Sequence, residues 1–196
     1  MINYYLLSFL IGVASSFSLP PYNLVLINFL TFPILLFILI NIQEKNNLSR
    51  SNFLIGWFFG LGYFLSNIYW LVYSLTFEDI FKPLIPFALI LIPSFLAIFY
   101  AFATLIVSKF ILKKKLSSIL IFSLAFGLIE FFRGFIFGGF PWNLISYSWV
   151  SYINSIQSLS IIGTYSFNLL AVTIFSLPLL IVFQKKIKNK IFFIMF

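Results

Sequence analysis

Apolar residues run through this chain in six long blocks separated by short polar breaks. The blocks are Ile2–Ser18, Leu24–Ile42, Phe53–Leu75, Pro83–Leu112, Leu116–Phe137 and Leu159–Phe183. Each is close to the roughly 20 residues that a helix needs to cross a bilayer. Pro20 and Pro21 end the first block, because proline lacks the N–H that would continue a helix. The fourth is long enough to tilt, or to kink at Pro86 or Pro93. A seventh apolar run, Ile191–Phe196, is too short to span. The pattern predicts an all-α, polytopic transmembrane bundle of about six membrane-spanning helices plus the start of a seventh. The first block lacks the basic n-region and A-x-A-like site of a signal peptide, so it reads as a retained helix.

Composition strengthens that reading. The chain is 62% hydrophobic and 8% charged, where soluble domains are roughly 45–50% apolar and about 25% charged. A chain of 196 residues cannot hide that much apolar surface from water, whereas lipid tails accept it. Phenylalanine is frequent, with 29 copies, but an AT-rich genome would account for that. The sequence has no cysteine and no histidine. Disulfides, thiolate nucleophiles, His-based triads and the usual zinc or haem ligands are therefore excluded within these residues, and no metal or cofactor is expected.

The net charge of +8 acquires a meaning from its placement. Lys45 and Arg50 follow the second block, and Lys109, Lys113, Lys114 and Lys115 follow the fourth. Lys185, Lys186, Lys188 and Lys190 follow the sixth. The alternate loops hold only Lys82, with Arg133 near the end of the fifth block. The positive-inside rule assigns the basic loops, the N-terminus and Lys185–Lys190 to the cytoplasm. Gly138–Ser158, the longest loop, then faces outside. Topology and anionic headgroups explain the charge without a nucleic-acid partner. The run Ile191–Phe196 reads as the beginning of a crossing that the chain does not complete.

Glu130 and Arg133 are three residues apart on the fifth block and so share one helix face. Ionisable groups in a membrane helix cost several kcal/mol unless paired or hydrated, which makes them functional candidates. A structural ion pair is an equally good reading. Glu130 lies about 14 residues into its block, roughly 21 Å at 1.5 Å per residue, in the outer third of the membrane. Gly138-Gly139-Phe140-Pro141-Trp142-Asn143 combines glycine freedom with a fixed turn. Tyr147, Trp149 and Tyr152 follow, as re-entrant or interfacial aromatics or as an ordinary aromatic belt. Asn143 and Gln157 are polar groups with no anchoring role. Gly56-x-x-x-Gly60, with Gly62 beyond, is a close-packing pattern of low specificity. Gly163-Thr164-Tyr165 is expected to loosen the first turn of the sixth block. Walker A, dinucleotide-binding and H-E-x-x-H motifs are absent from the sequence. There is no inverted repeat or charged pathway to suggest a transporter.

These motifs together resemble the N-terminal membrane domain of bacterial apolipoprotein N-acyltransferase. The resemblance rests on Gly56-Trp57-Phe58-Phe59-Gly60-Leu61-Gly62, on Tyr69-Trp70-Leu71, and on Glu130-Phe131-Phe132-Arg133-Gly134 leading into Gly138–Asn143 and Tyr147. Gln157, Gly163-Thr164-Tyr165-Ser166 and Phe17-Ser18-Leu19-Pro20-Pro21-Tyr22 complete it, covering essentially the whole chain. The resemblance implies eight membrane helices and a periplasmic nitrilase-like domain in the full enzyme, placed in the bacterial inner membrane. It implies acyl transfer from a phospholipid, through a cysteine, to the α-amino group of a lipoprotein's diacylglyceryl-cysteine. The Glu, Lys and Cys of that chemistry belong to the nitrilase-like domain, and none of them maps onto this chain. Residues 1–196 are thus expected to be a transmembrane domain lacking its catalytic partner, which is absent or separately encoded, and to be inactive alone. Arg133, Trp142, Asn143, Tyr147 and Gln157 are the expected substrate-binding residues, with Arg133 facing a phosphate headgroup at the outer opening. The alternative is a non-enzymatic membrane module that binds lipid or lipoprotein.

Overall fold

A computed structural model describes residues 3–42, 48–110 and 116–183. Lys45, Lys113–Lys115, Lys185–Lys190 and the run Ile191–Phe196 lie outside the described residues. Every regular element among the described residues is helical. Helix α1 spans Tyr4–Ser16, and the Asn3 side chain caps it by accepting from the amides of Tyr5 and Leu6. Helix α2 spans Asn28–Asn41 after a short 3-10 turn at Val25–Ile27. The α1–α2 hairpin closes on a buried polar knot. The Ser15 hydroxyl donates to Asn28 Oδ1 at 2.7 Å, and Asn28 Nδ2 donates to Ser18 Oγ at 2.9 Å. Asn28 is fully buried, so these bonds satisfy an amide that would otherwise be costly in an apolar interior.

Helix α3, Leu48–Asn67, packs on α1 and on α4, Ile85–Phe110. The small residues explain both contacts. A Cβ on Gly56 or Gly60 would run into Tyr100, Ala101 or Ala97 of α4. One on Gly62 would strike the Phe9 carbonyl of α1, and one on Gly12 of α1 would strike the Phe59 carbonyl of α3. The close-packing motif expected from the sequence therefore serves two partners from one helix. The Thr104 hydroxyl, donating to the Asn52 carbonyl at 2.8 Å, ties α4 to α3 a turn away.

Helix α5, Leu116–Arg133, packs against α4 and against α8, Thr164–Ser176. Phe32 of α2 sits at the centre of the bundle and is fully buried. Its ring lies 5.9–6.2 Å from those of Phe59, Phe122, Phe126 and Phe175, which come from α3, α5 and α8. Such aromatic contacts add about 0.5–1.5 kcal/mol each beyond their buried area. The abundance of phenylalanine thus has a packing use. On the opposite face of α5, Leu116, Leu120, Leu124 and Leu128 form an i, i+4 stripe about half exposed, an apolar face suited to lipid.

The structure modifies several expected spans. Among the described residues, two helical stretches, Asp79–Phe110 and Leu116–Arg133, are long and apolar enough to cross a membrane alone. A third qualifies only if α3 is joined to the 3-10 segment Tyr69–Thr76, from which it is bent by 51°. The third block is therefore not one straight helix to Leu75. Helices α1, Val25–Asn41 and α8 are apolar but shorter than a full span. The fourth block continues through Pro86 and Pro93 as one helix. The fifth ends at Arg133, four residues short of Phe137, followed by a 3-10 turn at Ile136–Gly138. The sixth is broken more deeply than a loosened first turn. Gly163, with φ of +77°, separates the short helix α7, Leu159–Ile162, from α8, and a turn at 177–178 separates α8 from α9, Leu179–Phe183. The short helix α6 spans Ile153–Ile156.

Candidate functional site

Helices α4, α5 and α8 converge on one carboxylate. The Tyr100 hydroxyl of α4 donates to Glu130 Oε1 at 2.5 Å. The Asn168 amide of α8 donates to Glu130 Oε2. Arg133, one turn along α5, holds its Nη2 3.6 Å from Glu130 Oε1. Tyr100, Glu130 and Asn168 are fully buried, and Arg133 is 1% exposed. The i, i+3 pairing expected from the sequence is present as an ion pair, at a separation longer than a direct hydrogen bond.

Of the guanidinium nitrogens Nη1 is committed elsewhere, while Nε and Nη2 are buried without a hydrogen bond. Arg133 Nη1 donates to the Phe140 carbonyl and to the Trp142 carbonyl, both at 2.9 Å. Its charge lies 5.2 Å from the centre of the Phe64 ring and 5.7 Å from that of Phe140, within cation–π range. The expected place of Arg133 on the outer opening is thereby corrected, since its side chain is 1% exposed and bonds the carbonyls of the segment instead of lining an open surface. The reason is local. Residues 139–144 follow neither helix nor strand, so their carbonyls need donors from somewhere else.

The rest of the segment is held the same way. The Phe140 amide donates to the Arg133 carbonyl at 2.9 Å. The Tyr63 hydroxyl of α3 donates to the Asn143 carbonyl at 3.1 Å. The Ser146 amide, in the 3-10 turn Ile145–Trp149, donates to Asn168 Oδ1 at 2.8 Å. Asn143 takes φ of +56°, a left-handed conformation that asparagine tolerates. Asn143 thus contributes a carbonyl and a turn, and its buried Oδ1 has no hydrogen-bond partner. Gly139 takes φ of +80°, and a Cβ there would meet the Gly134 carbonyl. A Cβ on Gly134 would meet the Tyr165 hydroxyl. This joins the two sequence motifs, because the Glu130–Gly134 corner fits under the residue that follows Gly163-Thr164.

Two expected residues do reach the surface. Trp142 is 55% exposed, and Tyr147 is 36% exposed, its hydroxyl donating to the Pro141 carbonyl at 3.2 Å. Partial burial pushes the Tyr147 hydroxyl above its ordinary value; Tyr165 adds to this and Arg133 opposes it. Gln157 is exposed in the turn between α6 and α7, and no hydrogen bond joins its side chain to the cluster among the described residues. Beside the bundle, Ile68, Leu71 and Val72 line a shallow apolar notch with Ala88, Leu89 and Ile92. No group of three potential metal ligands occurs among the described residues.

Sequence reasoning did not find Tyr63, Tyr100, Ser146 or Asn168. An asparagine inside an otherwise apolar helix was the available signal for Asn168, since such a group needs a buried partner.

Apolar helices around a buried, fully partnered carboxylate, with an irregular segment tied across one end, define a helical membrane domain. The chain belongs to the family described as the apolipoprotein N-acyltransferase N-terminal domain, which it matches over residues 11–194. The apolipoprotein N-acyltransferase of Brucella melitensis is 35% identical over 182 residues, which is 90% of this chain and 34% of the relative. That of Sinorhizobium medicae is 34% identical over 179 residues, 88% of this chain and 34% of the relative. That of Rhodopseudomonas palustris is 30% identical over 178 residues, 90% of this chain and 33% of the relative. The chain therefore spans about a third of the length of these relatives.

Proposed function

We propose that these residues form the membrane portion of an apolipoprotein N-acyltransferase. Such an enzyme moves an acyl chain from a phospholipid to the amino terminus of a diacylglyceryl-cysteine lipoprotein. In this reading the chain crosses the bacterial inner membrane six times, the shorter helices α1, α2 and α8 leaning on the longer ones. The basic loops are cytoplasmic and the Gly138–Ser158 loop is periplasmic. Residues 1–196 position lipid, and Trp142 and Tyr147 meet the substrates at the outer edge. Arg133 and Asn143 act from beneath by shaping that edge, and Gln157 contributes polarity at its far end.

One observation carries the reading: in a chain of this family, the segment 139–149 is fastened to the bundle while Trp142 and Tyr147 stay exposed. The sequence has no cysteine, so no acyl thioester can form on these residues. Acyl transfer then requires a nitrilase-like catalytic domain from outside the 196 residues. The same observation favours a second reading, a lipid- or lipoprotein-binding module without enzymatic activity.

The test uses the purified chain in phosphatidylethanolamine nanodiscs with a diacylglyceryl lipopeptide, followed by mass spectrometry of the peptide. The expected result is no acylated peptide from the chain alone, and acylation once a relative's nitrilase-like domain is fused after the bundle. Acylation by the unfused chain refutes the reading. A fused protein that folds and binds lipid without acylating favours the second one.

A further inference from the structure

Several features of the cluster go beyond an ion pair that glues helices. Glu130 sends out two arms that end on the same short segment. One runs through Arg133 to the carbonyls of Phe140 and Trp142. The other runs through Asn168 to the amide of Ser146. Tyr63 adds a third hold on the Asn143 carbonyl between them. The Tyr100 hydroxyl bonds to the hub carboxylate and donates to nothing in the segment itself. We propose that Tyr63, Tyr100 and Asn168 are positioning residues, which with Glu130 and Arg133 latch the Phe140–Trp149 segment in one conformation so that Trp142 and Tyr147 are presented in a fixed orientation.

The physical case is one of preorganisation. Residues 139–144 supply each other with no regular ladder, so their geometry is set by the donors and acceptors beneath them. Those donors and acceptors are immobilised in turn. Tyr63 and Tyr100 stack against Phe59, with ring centroids 6.4 and 5.8 Å from it. Asn168 is buried with both ends of its amide bonded. A surface segment held this way does not have to be ordered when a ligand arrives, which lowers the cost of binding. The inference rests on the proposed function only for what the segment presents. The latch itself is a statement about this chain.

The test is hydrogen–deuterium exchange on the full chain in detergent, comparing wild type with Tyr63→Phe, Tyr100→Phe and Asn168→Leu. Each variant removes bonds from the latch while keeping an apolar body in the core. Losing one buried hydrogen bond corresponds to about five- to tenfold faster opening. The latch predicts that acceleration in peptides covering 139–149, including in Tyr100→Phe, with unchanged exchange in α1 and α2. Unchanged exchange over 139–149 in Tyr100→Phe and Asn168→Leu overturns it. So does a rise of equal size throughout the chain, which would mean general loosening. Because the cysteine-free sequence accepts a single label, a nitroxide on Trp142→Cys gives a second readout. A newly mobile component in the Tyr100→Phe background supports the latch, and an unchanged spectrum counts against it. No substrate enters either measurement, so the latch can fail while the acylation reading stands, and the reverse.

Discussion

Replacing Glu130 by alanine should damage the protein more per atom removed than any other single truncation in the bundle. The carboxylate accepts from Tyr100 and Asn168 and balances a guanidinium 3.6 Å away, all of it buried. At that separation the attraction of unit charges is about 5 kcal/mol with an effective dielectric of 20. Desolvation offsets most of this in the intact pair, but removing one partner leaves the other charge buried, at about 3–5 kcal/mol. Arg133→Ala also bares the carbonyls of Phe140 and Trp142, at about 1–3 kcal/mol each before relaxation. The double variant Glu130→Ala/Arg133→Ala strands no charge, although the segment's carbonyls stay bare. It should therefore be less destabilised than the sum of the singles by at least about 3 kcal/mol, without returning to wild type. Thermal or denaturant unfolding in detergent, followed through the intrinsic tryptophans, reads all four corners of the cycle. Additivity to within about 0.5 kcal/mol would show that the two side chains are not coupled and would refute the reasoning.

The two glycines that begin the segment separate strain from collision. Gly138→Ala meets open space at φ of +84° and should cost about 1–2 kcal/mol, whereas Gly139→Ala adds a clash with the Gly134 carbonyl and should cost clearly more; equal losses in unfolding midpoint would contradict the geometry. Gly62→Ala should weaken the α1–α3 contact, because its methyl meets the Phe9 backbone, by about 1–3 kcal/mol in the same unfolding assay. For Tyr147 the folded state favours the neutral phenol, so its contribution is complete below the unfolded value near 10 and is lost as pH rises past it. Wild type should accordingly lose slightly more stability than Tyr147→Phe between pH 9 and roughly 11; a larger loss in the variant would reverse the sign.

What the sequence disclosed and what it withheld divide along a physical line. Helical periodicity is local, so the face shared by Glu130 and Arg133 and the small-residue row of Gly56, Gly60 and Gly62 could be read directly. The direction in which Arg133 reaches could not, because its acceptors are carbonyls of a segment that folds back only in three dimensions. Headgroup recognition was the natural expectation for an arginine near the membrane edge, whereas the folded chain buries the side chain and sets its Nη1 on backbone carbonyls. Asn168 and Tyr100 stand 38 and 30 residues from Glu130, beyond any local pattern. The sixth apolar block looked continuous because Gly163 costs little hydropathy, yet its φ of +77° ends a helix as surely as a proline. Hydropathy reports where a chain is apolar, and it is nearly blind to a backbone break inside such a run.

The charged pair and the irregular segment are best understood as one feature. Buried backbone that is neither helix nor strand persists only where other groups satisfy its polar atoms. The carbonyls of Phe140, Trp142 and Asn143 are met by Arg133 and Tyr63, and the amide of Ser146 is met by Asn168. Arginine can serve two carbonyls from one nitrogen, but a buried arginine then needs a counter-charge, and Glu130 supplies it one turn away. The carboxylate in turn needs its remaining lone pairs filled, which Tyr100 and Asn168 do from α4 and α8. Read in this order, each expensive group is required by the one before it, and the series begins with a segment that holds Trp142 and Tyr147 at the surface. An ion pair kept only to join α5 to its neighbours would leave the backbone bonds from Arg133 and Asn168 to that segment without a role.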